Sequence, residues 1–106
     1  MTHITITKVT NIYGIKCEGH AGYADAGSDI VCAGISALTE AFDMVVETYD
    51  ESDEVDIKIH EVAEGYIHIT YHDPKGILQP AFTMLTLGLE GIRDEFPYNI
   101  NLNYKF

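Results

Sequence analysis

Apolar and polar residues alternate in five separate stretches of the chain, which is the period typical of β-strands with one buried face. The stretches cover residues 4–6, 13–17, 55–59, 67–71 and 98–106. The last is the longest, with five apolar side chains separated by three asparagines and a lysine. Because every strand keeps one polar face, we expect helices to cover only one side of the resulting sheet.

Two further stretches carry apolar residues at steps of three and four, which indicates amphipathic helices. The first extends from Val31 to Tyr49 and the second from Leu78 to Phe96. Pro80 is tolerated in a first helical turn but not later, so the second helix is expected to begin near it. Pro97 ends that helix.

The predicted order is strand, strand, helix, strand, strand, helix, strand. This order predicts an α+β fold, a two-layer sandwich with both helices on one sheet face. Its last six elements follow the ferredoxin-like plait, and one extra strand precedes them at the N-terminus. A chain of 106 residues suits one hydrophobic core, so we expect a single domain over residues 1–106.

The chain is acidic, with 17 acidic and 6 basic residues and a net charge of −11. Direct nucleic-acid binding is not expected, since phosphates are held by clustered Lys and Arg. No signal peptide or apolar run of membrane length is evident, so we expect a cytoplasmic protein without membrane contact. Cys17 and Cys32 do not indicate a disulfide framework, and Cys17 points to the apolar side by parity. No cofactor is expected.

A glycine-rich connection joins the second strand to the first helix and is longer than most connections of its kind. It contains Gly19, Gly22 and Gly27. His20 lies at its beginning, and Cys32 lies just beyond its end. Such loops are usually functional or disordered, so this segment is the first place to look for chemistry.

The start of the first helix gives Cys32 an unusual environment. With Asp29 as N-cap, Cys32 is the third helical residue, near unsatisfied N–H groups and the positive end of the helix dipole. That environment favours the thiolate, and a nearby His20 would complete the minimum apparatus for nucleophilic cysteine catalysis. The same N–H groups could stabilise an oxyanion. Cys32 equally fits a core cysteine and His20 a plain loop residue, and spacing alone does not decide.

Residues 19–38, GHAGYADAGSDIVCAGISAL, closely resemble the signature of the ribosomal-processing cysteine protease Prp family. That pattern reads Gly-His-Ala, a few residues, then Ala-x-x-Gly-x-Asp-Ile-Val-Cys-Ala-x-x-Ser-x-Leu. The resemblance covers the whole chain, including LGLEGI at residues 87–92. The visible departure is Gly34, where alanine is more usual; it costs up to about 1 kcal/mol of helix stability and removes no reactive group.

The resemblance implies a cysteine endopeptidase that removes the N-terminal extension of a large-subunit ribosomal protein. Cys32 would be the nucleophile, and His20 the general base that later protonates the leaving amine. Asp29 matches the family's aspartate, and either N-capping or orienting His20 is open to it. Ser36 also matches and is a candidate for a hydrogen bond near the site.

The family cleaves in an aromatic-rich stretch, so the resemblance also implies an apolar groove beside Cys32. Tyr23 either lines that groove or packs within the loop. Gly19, Gly22 and Gly27 would let the loop close over a peptide and reopen. A homodimer is expected from the family as well. The expected partner is the ribosomal protein that carries the extension.

Three histidines suggest a metal site as a further hypothesis. If residues 63–65 form a hairpin turn, His60 and His68 lie opposite each other on the polar sheet face, with His72 and Asp56 further along. Two imidazoles could bind zinc, but no third ligand is fixed. The pattern therefore favours a solvated polar face, and no metal site is expected.

Residues 47–56 hold six acids and no base before Lys58. They fit a solvated turn, or a surface that attracts a basic ribosomal protein. The alternative function is a non-catalytic, dimeric, ribosome-associated binding domain. Such a module has no need of His20 and Cys32 at their spacing, so rapid thiol labelling of Cys32 discriminates the two functions.

Overall fold

The structure is a computed structural model that describes residues 1–25 and 29–106. Its elements are β1 (Thr2–Val9), β2 (Ile12–Glu18), α1 (Ile30–Glu51), β3 (Asp56–Ala63), β4 (Tyr66–His72), α2 (Gln79–Glu95) and β5 (Ile100–Lys105). This order confirms the predicted succession of strands and helices. Neither helix in the described ranges combines the length and the apolar character needed to cross a membrane.

The strands form one mixed sheet in the order β3-β4-β2-β1-β5. β1 pairs antiparallel with β2 and parallel with β5, and the pairs β2–β4 and β3–β4 are antiparallel. Without β1, the remaining strands make the two interleaved strand-helix-strand units of a ferredoxin-like plait. The extra N-terminal strand is therefore inserted between β2 and β5 and does not lie at a sheet edge.

Both helices pack on the same face of this sheet, which confirms the two-layer prediction. The inward strand positions and the helix stripes share a single core cluster. Its most deeply buried members are Ile4, Ile6, Ile15, Ile69, Tyr71, Val31, Val46, Leu85 and Leu89. The opposite face carries the alternating polar residues, so only one side of the sheet is covered by helices.

Two glycines let the helices approach closely. A Cβ atom on Gly88 would lie 2.9 Å from Cδ1 of Leu38, and one on Gly34 would lie 3.2 Å from Cδ1 of Ile92. Real Cβ atoms rarely tolerate such distances, because van der Waals contact begins further out. The space left by Gly34 is filled by Ile92, which accounts for a glycine where the family signature usually has alanine.

The β3–β4 hairpin differs from its predicted register. Pairing continues to Ala63 opposite Tyr66, so the turn contains only Glu64 and Gly65. A register shift between Ile57 and Ile59 then inserts one extra residue in β3. The predicted pairing of His60 with His68 is wrong, because the two-residue turn shifts the pairing by one residue. A shift of one residue moves a side chain to the other face of the sheet.

His60 lies opposite Ile69 and not opposite His68, whose partner in the ladder is Glu61. The slip turns His60 to the helix side of the sheet, where its Nε2 lies 2.8 Å from Asp43 Oδ1. The His72 position is opposite Asp56, as the sequence suggested.

The last strand is shorter than the predicted 98–106, because β5 begins at Ile100. The backbone turns after Pro97, and the Asn99 N–H donates to the carbonyl of Phe96 at 3.0 Å. Tyr98 is 88% exposed in this turn. The turn brings Asn99 to the end of the sheet where β1 also begins, since Asn99 accepts from the Thr2 N–H at 3.0 Å.

Candidate active site

One end of the sheet gathers the segments that frame the candidate site. β2 ends at Glu18, opposite the start of β1 at His3 and the start of β4 at Tyr66. β5 runs parallel to β1 and begins at the same end. The connection that leaves β2 enters α1 here, so the topology itself brings the loop, the helix start and the hairpin turn together.

Asp29 caps α1 and also binds the loop. Its Oδ1 accepts the N–H groups of Val31 and Cys32, both at 3.0 Å. Its Oδ2 accepts the N–H of Tyr23 at 3.0 Å. These bonds, that of Cys32 foremost, hold the pKa of Asp29 below its ordinary value. Of its two predicted roles the geometry shows the N-cap, and no bond to His20 is present among the described residues.

Cys32 is half-buried in the first turn of α1 and receives a hydrogen bond from the loop. The N–H of Ala21 donates to Cys32 Sγ at 3.1 Å. The helix-start N–H groups of Val31 and Cys32 are already taken by Asp29, so the sulfur's donor is the loop amide. A donor aimed at sulfur stabilises the thiolate more than the thiol. Sequence reasoning pointed to the helix start and missed this amide.

His20 is exposed and lies against the β3–β4 turn. A Cβ atom on Gly65 would lie 3.0 Å from Nε2 of His20, so the ring rests directly on that glycine. The Gly19 N–H donates to the Gly65 carbonyl at 2.9 Å and fastens the residue before His20 to the same turn. Within the described chain no hydrogen bond joins the His20 ring to Cys32 Sγ. Such catalytic bonds are often long without substrate and tighten in its presence.

His20 and Cys32 line one cleft of about 820 Å³. Its walls are the loop after β2, the first turns of α1 and the β3–β4 hairpin. Val62 and Ile67 give it an apolar side, and Ser36 lies on the α1 wall one turn beyond Cys32. The volume is within the usual range for ligand-binding clefts, about 300–1,000 Å³.

Tyr23 lies outside the described lining of the cleft. Its ring packs edge-on against Phe96, with ring centroids 5.2 Å apart, and it is 48% exposed. This contact ties the loop to the end of α2 and corresponds to the packing alternative. Gly19 lines the cleft with a φ of +87°, and Gly22 has a φ of +72°. Gly27 falls outside the described residues.

Cys17 also lines the cleft, but it is a core residue, as its position in the alternating pattern of β2 predicted. It is 5% exposed, and burial raises the pKa of its thiol to about 12. Both cysteines are free thiols. The two side chains therefore differ in access, since Cys32 is half-buried beside the loop.

Two contacts to the loop were not predicted. The Nδ2 of Asn99 donates to the Ala21 carbonyl at 3.1 Å, and the Thr2 hydroxyl donates to the Gly19 carbonyl at 3.3 Å. Thr2 begins β1 and Asn99 directly precedes β5, and these two strands are adjacent and parallel. No pattern in the sequence connects Asn99 with Ala21, because they are 78 positions apart and pair only through the sheet topology.

His60 forms the one group of three possible metal ligands that the described ranges contain, with Asp43 and Glu47. Its Nε2 lies 2.8 Å from Asp43 Oδ1 and 2.9 Å from Glu47 Oε1. Each carboxylate thus already has the imidazole as its partner. The group links β3 to the middle of α1 and lies outside the cleft lining.

Comparison with known proteins places the whole chain in one family. The family model described as cysteine protease Prp matches residues 1–101. The ribosomal processing cysteine protease Prp of Staphylococcus aureus is 32% identical over 108 residues, 96% of this chain and 95% of that protein. The protein of the same name from Mycoplasma genitalium is 31% identical over 89 residues, 84% of this chain and 85% of the relative.

A solved structure agrees with the sequence comparison. The crystal structure of the S. aureus ribosomal processing protease Prp, with a covalently linked product peptide, matches this fold with a TM-score of 0.81. The match is 28% identical and covers 99% of this chain and 100% of that one. The predicted family is thereby confirmed: the chain belongs to the cysteine protease Prp family and is a cysteine protease.

Proposed function

We propose that the chain removes the N-terminal extension of a large-subunit ribosomal protein, with Cys32 as nucleophile and His20 as general base. The observation that carries the proposal is the cleft that both residues line, with the Ala21 amide donating to the sulfur. The relatives' names contain ribosomal processing, and the S. aureus structure holds a product peptide by a covalent bond. A covalent product is what nucleophilic catalysis leaves behind.

The reaction uses four proton transfers through His20, two in acylation and two in deacylation. The imidazole takes the Cys32 proton, and the sulfur attacks the scissile carbonyl to form a tetrahedral intermediate. As the carbon–nitrogen bond breaks, His20 returns the proton to the leaving amine, and a thioester remains on Cys32. Water, deprotonated by His20, then attacks the thioester and releases the new carboxylate and the thiol.

The surrounding residues support this chemistry in the proposal. Asp29 holds the helix start and the loop in place, so that sulfur and loop amide keep their geometry. Ser36 is a supporting residue on the cleft wall. Gly19 and Gly22, both at positive φ, let the loop adjust when a peptide enters, and the apolar side of the cleft takes the aromatic-rich segment of the substrate.

We further propose a homodimer that works in the cytoplasm, where a ribosomal protein precursor would be met. Exposed apolar side chains on the helix layer support an oligomer: Met44 is 69%, Met84 66% and Leu87 61% exposed. Where such side chains form a contiguous patch, they mark an interaction surface. Light scattering should give twice the chain mass, and a monomer mass would contradict this part. Neither nucleic acid nor membrane is a proposed partner.

The direct test is incubation of the protein with a precursor ribosomal protein, followed by mass analysis of the product. Cys32→Ala should abolish cleavage, and His20→Ala should slow it by roughly 10²–10⁴-fold, the usual contribution of a general acid–base group. Cys17→Ala is the matched control, because it removes the other thiol and should leave cleavage intact.

Cleavage by Cys32→Ala at the wild-type rate would show that the proposed mechanism is wrong. A wild-type protein that binds the precursor without cutting it would support the binding-domain alternative. Cleavage of the precursor at another position would leave the chemistry and overturn the proposed substrate.

A further inference from the structure

Ala21 is held from both sides by hydrogen bonds. Its N–H donates to Cys32 Sγ at 3.1 Å, and its carbonyl accepts from Asn99 Nδ2 at 3.1 Å. The residue is 1% exposed, so water does not replace either partner. A residue fixed at its N–H and its carbonyl has little freedom in φ and ψ, so the direction of the N–H is determined.

Asn99 is itself firmly anchored. Its backbone N–H donates to the Phe96 carbonyl and its backbone carbonyl accepts from the Thr2 N–H, both at 3.0 Å. Thr2 is the first residue of β1 and pairs with Ile100, the first residue of β5. The anchor of Ala21 is therefore the sheet and not another part of the loop.

We propose that Asn99 is a positioning residue, which holds Ala21 so that its N–H stays directed at the sulfur of Cys32. The inference rests on the proposed function, in which Cys32 is the nucleophile. Asn99 lies outside the described cleft lining, so it acts through Ala21 and not on the substrate. A donor fixed in advance needs no reorganisation when negative charge develops on sulfur.

Loss of the Asn99 side chain would leave the Ala21 carbonyl buried without its donor. The residue can then recover a partner only by turning, which moves its N–H away from the sulfur. The thiolate would lose a stabilising bond, while the core beneath the loop would keep its packing. The effect is thus expected on reactivity more than on folding.

The experiment compares Asn99→Ala and Asn99→Asp with the wild type. Aspartate has nearly the same shape but has no amide hydrogen to donate, and Asn99→Gln keeps the donor on a longer side chain. Asn101→Ala is the control, because Asn101 is exposed on β5 and has no bond to the described residues of the loop. Four quantities are measured: the rate of iodoacetamide labelling of Cys32 at neutral pH, kcat and KM for the precursor, and the melting temperature.

Asn99→Ala and Asn99→Asp should slow iodoacetamide labelling of Cys32 at neutral pH by about three- to tenfold, the value of one hydrogen bond. The kcat should fall about three- to tenfold with KM little changed, and Asn99→Gln should recover part of the loss. Asn101→Ala should match the wild type.

An unchanged labelling rate of Cys32 and an unchanged kcat in Asn99→Ala and Asn99→Asp would overturn the proposal. A loss confined to the melting temperature would overturn it as well. Labelling does not depend on which protein is cut. If Asn99→Asp slows the labelling of Cys32 but Cys32→Ala still cleaves the precursor, the positioning role stands and the proposed nucleophile is wrong. If both fail, the loop contact has no chemical role.

Discussion

Cys17 and Cys32 both reach the cleft, and the contrast between them shows how local surroundings set the properties of a side chain. Cys17 is enclosed by the core, where a charged thiolate has no solvation and burial raises the pKa of the thiol to about 12. Cys32 is half-buried and accepts the Ala21 N–H. Of the two thiols, Cys32 is thus the one that combines access with a hydrogen-bond donor, as the proposed nucleophile requires.

Thiol labelling should separate the two residues near neutral pH. Iodoacetamide should modify Cys32 and leave Cys17 unmodified, because Cys17 is 5% exposed and stays protonated well above neutral pH. Peptide mass spectrometry after digestion gives the site. In denaturant both should react, which is the control for reagent access. Equal labelling of both thiols in the native protein would contradict the difference described here.

At the scale of elements, the β3–β4 hairpin serves two purposes. Its turn supports His20 through Gly65, and the inserted residue in β3 brings His60 to α1. Both depend on register, because a slip of one residue moves each following side chain to the other face. The hairpin therefore contributes to the site at its tip and to the contact between layers near its middle.

A pair of glycine variants tests the support of His20. Gly65 and Gly76 have φ values of +70° and +67°, so alanine is strained at both. Their neighbours differ: a Cβ on Gly76 meets Gln79 at an ordinary 3.4 Å, whereas one on Gly65 meets the His20 ring at 3.0 Å. Both variants should lose about 1–3 kcal/mol of unfolding free energy.

Only Gly65→Ala should also lower kcat, because it displaces the His20 ring, the proposed general base. The measurement is kcat for precursor cleavage beside denaturant unfolding of each variant. Equal kcat in the two variants would mean that the position of His20 does not depend on the hairpin turn.

The contact of His60 with α1 should make stability depend on pH. The hydrogen bond that the His60 ring donates to Asp43 is the main cause that raises the pKa of His60 above its ordinary 6.5, and Glu47 adds to it. A raised folded-state pKa gives stability that is fully present below the unfolded value and is lost as pH rises through the folded value.

The wild type should therefore exceed His60→Asn in melting temperature by more near pH 5.5 than near pH 9. His3→Asn, at an exposed position on β1, is the control and should show no such dependence. A difference between wild type and His60→Asn that is constant with pH would exclude an ionic contribution from this contact.

At the scale of the whole molecule, acidic residues are concentrated in residues 47–56, and others line the cleft. Residues 47–56 form the end of α1, the turn after it and the first residue of β3, and the helical part lies roughly 22–29 Å along α1 from Cys32. Several of these acids have local partners, as with Asp50 and the Ile57 N–H at 2.9 Å. The cleft itself is lined by Asp25, Glu40 and Glu64. A basic protein would be attracted over the whole surface.

Cleavage of the precursor should slow as salt rises from roughly 0.05 to 0.5 M, because screening weakens the steering of a basic substrate by a chain of charge −11. The second-order rate constant kcat/KM is the quantity to measure. A short uncharged peptide with the same cleavage segment is the control and should respond little. An equal response of both substrates would leave residues 47–56 as a solvated turn.

Much of the architecture could be predicted because hydrophobic period reports the type of each element and its buried face. Period does not report neighbours, so the insertion of β1 between β2 and β5 could not be foreseen. Nor does it detect an inserted residue such as that near Lys58, which reversed the face of His60. The motif predicted Cys32 and His20 as the catalytic pair, while the contacts of Asn99 and Gly65 join distant segments that no motif connects.

The place of β1 in the sheet also bears on the order in which the protein can assemble during synthesis. β1 is the first strand made, yet one of its edges stays unpaired until β5, the last strand, is available. Contacts of such long sequence separation form late and slowly. The bond from Asn99 to Ala21 forms in that step. A nascent chain that still lacks β5 therefore has neither the complete five-stranded sheet nor the Asn99 anchor of the loop. Anchoring of the loop by Asn99 therefore waits until β5 has been translated.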